Sequence, residues 1–259
     1  MAKILQTAER HTDNEASENV IYQRLSFAYE CAKPYVSGKV IEIGSGEGYG
    51  LKRLAPKTES YTAIDKYKTP IEDEYINNKL VEFFHMEVPP LQDISSNHFD
   101  KAISFQVIEH IEDDLLFLAE IQRVLKPGGQ LILTTPNIKM SLTRNPWHVR
   151  EYTLEELKTL LEKYFSKVEM KGITGNKKVM DYYYENKKGV EKFTRFDIFN
   201  LQYRLPRQVL QVPYDILNRI NRRMIMGKNN NLVNSVSHED YFLKDADDTV
   251  FDFFCIATK

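Results

Sequence analysis

The segment that most restricts this chain is a short apolar run, Lys39-Val-Ile-Glu-Ile43, which opens directly onto Gly44-Ser-Gly-Glu-Gly-Tyr-Gly50. Branched aliphatic residues without polar alternation suit a strand covered on both faces. Glycines at 44, 46, 48 and 50 let the backbone turn tightly and come close to a ligand. Leu51-Lys-Arg-Leu54 then continues as a helix. A buried strand feeding a glycine-rich turn and a helix requires parallel neighbours reached by crossovers.

The rest of the chain repeats that alternation. Residues 17–36 read as a helix, with Val20, Leu25, Ala28 and Ala32 on one face. Strands are expected at Tyr61–Ile64 (closed by Asp65), Leu80–Phe84, Phe99–Phe105, Gln130–Thr135, Lys167–Thr174 and Val250–Thr258. An amphipathic helix at 113–125 stops at Lys126-Pro-Gly-Gly129, and Thr153 caps another that runs to about Tyr164. The fold expected is α/β: a doubly wound, mostly parallel, seven-stranded Rossmann-like sheet with helices on both faces. A helical insertion precedes its last strand. In such sheets ligands bind at the carboxyl ends of the strands, near the topological switch point.

The glycine turn does not fit the nicotinamide fingerprint G-x-G-x-x-G, because position 49 is Tyr where that pattern needs glycine. Asp65 ends the next strand, 21 residues after Gly44. A carboxylate there can accept two hydrogen bonds from a ribose diol, a need common to several nucleoside ligands. The later segments narrow the choice: Phe99-Asp100, Gln106-Val-Ile-Glu-His-Ile111, Leu125-Lys-Pro-Gly-Gly129 and Thr135-Pro-Asn137. Together with the alternation G-x-G-x-G-x-G, they resemble, element by element, the motifs of class I S-adenosylmethionine-dependent methyltransferases. The likeness is greatest to the branch that modifies small molecules and lipid or glycan precursors.

That resemblance implies S-adenosylmethionine as cofactor and a set of binding residues. The backbone of Gly44, Ser45, Gly46 and Gly48 would pass beneath the methionine portion, and Glu42 would help hold its amino end. Asp65 would take the ribose hydroxyls, and Gln106 would meet the methionine moiety. Met86 and Glu87 stand where the family has an acid near the adenine, although His85-Met86-Glu87 replaces the usual small residue and Asp. Tyr22-Gln-Arg24 resembles a segment that closes over the cofactor, with Arg24 pairing its carboxylate.

The sulfonium is already an activated methyl donor, so an acceptor hydroxyl needs alignment and a base. His110, after the fourth strand, and His148, in Asn145-Pro-Trp-His-Val-Arg-Glu-Tyr152, are candidates on pKa grounds, each with a packing or capping role as the alternative. His11, His85, His98 and His238 have no metal-ligand spacing, so no metal is expected. The rival readings are a non-catalytic S-adenosylmethionine-binding module and, behind it, a nicotinamide oxidoreductase.

Charge separates the chain into two parts. Between Lys177 and Lys228 there are 12 Lys/Arg and 5 Asp/Glu, a local +7, so the remainder carries −9 of the net −2. The segment also holds Tyr182, Tyr183, Tyr184, Phe193, Phe196, Phe199 and Tyr203. Val209, Val212, Ile216, Ile220 and Met224 share a helix face, with Arg219, Arg222 and Arg223 beside them. The division expected is an N-terminal cap helix region at 1–38, a core at 39–175 and 247–259, and a basic helical insertion at 176–246. The insertion is expected to lay its apolar face on the core as a lid that favours an anionic small-molecule acceptor. Peripheral membrane contact through 205–226 is the alternative. Nucleic acid is not an expected partner, because the acidic remainder opposes a broad phosphate footprint. Gly227–Asn231 reads as a loop. Two cysteines, Cys31 and Cys255, offer no disulfide framework, and Met1–Gln6 lacks a secretory signal's apolar core, so a cytoplasmic location is expected.

Overall fold

The computed structural model describes residues 15–259, apart from positions 70, 76, 196 and 198. Residues 1–14 of the expected cap region, with His11, and Phe196 of the aromatic set therefore lie outside the described residues.

The elements follow in the order α1 (Asn19–Ala32), β1 (Lys39–Ile43), α2 (Tyr49–Arg53), β2 (Ser60–Asp65), β3 (Val81–His85), β4 (Phe99–Phe105), α3 (Asp114–Val124) and β5 (Leu125–Pro136). They continue with α4 (Leu154–Leu161), β6 (Lys167–Gly175), α5 (Lys177–Thr194), α6 (Leu201–Arg204), α7 (Arg207–Lys228), α8 (Asn230–Ser235), β7 (Tyr241–Asp245) and β8 (Asp252–Thr258). Among the described residues one sheet contains eight strands in the order β3-β2-β1-β4-β5-β8-β6-β7. Strands β1 to β5 pair in parallel, and β8 runs antiparallel between β5 and β6. The order reverses between β1 and β4, which places the switch point at the glycine turn and at the Gln106 segment.

Local chemistry accounts for the boundaries. Helix α1 ends at Ala32, four residues short of the expected 36, because Pro34 disfavours helical geometry at Lys33. Asp113 caps α3 by accepting from Leu116 N–H, and Thr153 with Glu156 forms a capping box on α4. Lys126-Pro-Gly-Gly129 does not separate helix from strand as expected. Strand β5 starts at Leu125, paired with Phe99, and the register then jumps to Lys101 opposite Gln130, so the four residues bulge outward.

Two further expectations need correction. The sheet has eight strands, not seven, because β7 lies inside 176–246 and pairs beside β6. Only five residues long, with Lys244 and Asp245 at its end, it is a short charged edge strand whose alternation is weak in sequence. Gly227–Asn231 is not a loop: α7 runs to Lys228, α8 begins at Asn230, and Asn229 alone breaks the helix.

The described residues divide into two compact units, one of residues 15–27, 141–148 and 175–242, the other of residues 28–140, 149–174 and 243–259. The larger contains the main buried hydrophobic core, including Ile41, Ile43, Ile64, Phe117, Leu131 and Phe253. In the smaller, Val20, Val179, Tyr182, Ile225 and Val233 are buried.

Candidate functional site

In the larger unit, the loop after β1 folds back on the end of β2. The N–H groups of Gly44 and Ser45 both donate to Ile64 O, at 2.8 and 3.0 Å. Gly48 N–H closes the turn on Ser45 O at 2.8 Å, and the Ser45 hydroxyl lies 3.2 Å from that of Thr69. Gly44 has φ +83°, and a Cβ there would come within 2.3 Å of Val107 Cγ2, so the loops after β1 and β4 meet at the switch point. Gly46 has φ +49°, but among the described residues a Cβ there would find nothing nearer than Gly44 O at 4.0 Å. One glycine is needed for packing; the other lines open space.

Asp65 stands at the rim of that space. Its Oδ2 accepts from Gly46 N–H and its Oδ1 from Tyr67 N–H, both at 2.9 Å. The carboxylate is thereby fixed to the glycine loop, and each oxygen keeps a further lone pair for another donor. Across the switch point, Gln106 has φ +56°, a left-handed conformation that a non-glycine residue adopts at some cost. Its N–H donates to Thr134 O at 3.0 Å and its Nε2 to Thr134 Oγ1 at 3.3 Å. Met86 N–H donates to Asp65 O at 3.1 Å, and its side chain packs against the core, whereas Glu87 is exposed.

Glu42 lies under the loop, fully buried. Tyr29 OH donates to Oε1 at 2.8 Å and Tyr61 OH to Oε2 at 2.9 Å. Burial pushes its pKa up to about 7, the two tyrosine bonds oppose the rise, and the charge of Asp65 adds to it. Each oxygen already has a donor, so holding a ligand's amine would be a second task for a bonded group. Sequence reasoning missed this Tyr29–Glu42–Tyr61 arrangement. The available signal was Tyr61 within a strand buried on both faces, where its hydroxyl needs a partner.

His110 ends a single 3-10 turn, Ile108–His110, with its N–H donating to Val107 O at 2.9 Å. The neighbouring Glu109 is fully buried, and its Oε2 accepts from Thr135 Oγ1 at 2.9 Å. Its carbonyl accepts from Val149 and Arg150 N–H, which ties the segment after β4 to the chain beyond β5. The two remaining candidates belong to the smaller unit. Arg24 lies on α1, and His148 Nε2 sits 2.8 Å from Asn145 Nδ2, beside Trp147, whose Nε1 donates to Asp215.

A sulfonium nucleoside with a methionine tail suits the residues of the larger unit. The glycine loop leaves open space at Gly46, a fixed carboxylate stands at its edge, and the loop is joined to Gln106 through Val107. This arrangement at the switch point of a mostly parallel sheet is similar to that of class I S-adenosylmethionine-dependent methyltransferase domains. Residues 41–133 match the methyltransferase domain family.

A probable S-adenosylmethionine-dependent methyltransferase of Mycolicibacterium smegmatis is 36% identical over 170 residues, 60% of this chain and 63% of that protein. A ubiquinone biosynthesis O-methyltransferase of Pseudomonas aeruginosa is 27% identical over 112 residues, 42% of this chain and 46% of its own length. The chain thus spans less than two thirds of these relatives. In three dimensions, a Thermotoga maritima methyltransferase described as a possible histamine N-methyltransferase shares the fold. It covers 94% of this chain and 91% of its own, with TM-score 0.54 and 16% identity.

Proposed function

We propose that the chain transfers a methyl group from S-adenosylmethionine to oxygen of a small-molecule, lipid or glycan-precursor acceptor. The observation that carries this reading is the open space at Gly46, whose N–H is held by the Asp65 carboxylate at the end of β2. The bound cofactor supplies an electrophilic methyl, and the protein's part is positioning. Asp65 accepts from the ribose hydroxyls, the Gly44–Gly48 backbone supports the methionine portion, and Gln106 borders it from β4. His110, on the same strand-end rim, takes the acceptor proton. Oxygen is favoured over nitrogen by the ubiquinone O-methyltransferases among the relatives.

A non-catalytic binding module is the second reading, since a fold of this kind does not fix its chemistry. Calorimetric titration with S-adenosylhomocysteine and with NAD tests the site. The first should bind, the second should not, and Asp65→Ala should weaken the first by about 1–3 kcal/mol, the cost of unpaired hydroxyls. Unchanged affinity in that variant would place the nucleoside elsewhere. Binding without methyl transfer to any acceptor panel would favour the module.

A further inference from the structure

Helix α7 buries Ile225 yet leaves outside the apolar row that a helix of a globular core would bury. Its apolar row Val209, Val212, Ile216, Ile220 and Met224 is 44–66% exposed. The side it buries carries Asn221, 3% exposed, whose Nδ2 donates to Asn186 Oδ1 at 2.6 Å. Gly189 on α5 permits that approach, because a Cβ there would meet Asn221 Oδ1 at 2.0 Å. The expected arrangement, with the apolar face laid on a core, is therefore not the one observed. Phe199, Leu201 and Tyr203, just before α7, are exposed as well, so the apolar surface extends beyond one helix.

We infer that this face is a membrane-docking surface for anionic lipid. Charge supports that occupant. Arg223 follows Ile216 by two turns on the row itself, Arg219 flanks it, and Arg204, Arg207 and Lys228 stand at its two ends. Glu15 pairs with Arg223 at 3.1 Å and Glu18 with Arg222 at 3.5 Å, which offsets two charges of a segment that carries +7. A second copy would bring two such basic faces together, at a repulsive cost that anionic headgroups reverse. A 22-residue helix with an apolar row and basic flanks, preceded by the exposed Phe199 and Tyr203, suits the plane of the interface. Among the described residues no helix is long and apolar enough to cross a membrane, so this contact is peripheral. The proposal stands independently of the methyltransferase reading.

Sedimentation of the whole chain with vesicles tests it. The chain should pellet with phosphatidylcholine vesicles containing phosphatidylglycerol at low ionic strength, and high salt should release it. Phosphatidylcholine alone should retain much less. Ile216→Glu with Ile220→Glu should weaken partitioning at least about tenfold, and each of Arg219→Gln and Arg223→Gln about fivefold. Circular dichroism and S-adenosylhomocysteine titration should be unchanged in all of these variants, since the positions are outside the nucleoside site. No pelleting with anionic vesicles, or equal pelleting of the double glutamate variant, would overturn the inference. So would a concentration-dependent dimer that the glutamates abolish without any lipid binding, because the face would then belong to a second copy.

Discussion

Replacing Glu42 with Gln should flatten the dependence of stability on pH. In the folded chain its carboxyl is buried and titrates at about 7, against an ordinary value of 4.5. The folded state therefore holds the proton more tightly than the unfolded state between those values. Stability from this group is complete below about pH 4.5, declines as pH rises, and is lost above about 7. A shift of that size, at 1.36 kcal/mol per unit, makes the wild type lose about 2–3 kcal/mol between pH 5 and pH 8 on this account alone.

Glutamine keeps the shape, accepts from one tyrosine hydroxyl through its Oε1 and donates to the other through its Nε2, and it has no proton to lose. Urea unfolding at the two pH values measures the difference directly. The Gln variant should gain about 2–3 kcal/mol on the wild type as pH rises. Parallel profiles would refute the argument, because they would mean that the carboxylate is ionised when folded and that its two tyrosine donors compensate its burial. A ligand ammonium that meets Glu42 should favour the anion. Cofactor binding near pH 7 would then release a proton, seen as a dependence of the binding enthalpy on the buffer.

Two further outcomes follow from the same geometry. Gly44→Ala should cost stability twice over, about 1–2 kcal/mol for the left-handed backbone and about 1–3 for overpacking against Val107. Gly46→Ala carries the backbone cost alone and should instead lower affinity for S-adenosylhomocysteine. Thermal melts and titrations of the pair should rank in opposite orders, and the same order in both would remove the distinction between a packing and a ligand-facing glycine. His110→Ala should lower kcat by roughly 10²–10⁴ with cofactor affinity intact if the acceptor proton passes to that ring. Full activity would mean that positioning suffices.

Much of the fold was legible because burial on both faces writes itself into composition. β1, β2, β4 and β5 are apolar runs closed by Gly, Asp, Gln or Pro, and those closing residues mark the strand ends on the side of the sheet that holds the switch point. The positions of Gly44, Asp65 and Gln106 along the chain thus determined which segments could form a nucleoside site. The sequence did not determine what each side chain does there. That Gly44 is required by Val107 while Gly46 lines open space depends on contacts 63 residues apart or on the lack of them. Glu42 reads as a ligand-facing acid in the linear motif, and only the fold brings Tyr29 and Tyr61 to its two oxygens. Strand β7 was missed because an edge strand buries too little to show alternation. Helix α7 illustrates the same division. Periodicity identified its apolar row but cannot say which way a helix rolls, and the close approach at Gly189 turns Asn221 inward and leaves the row outside.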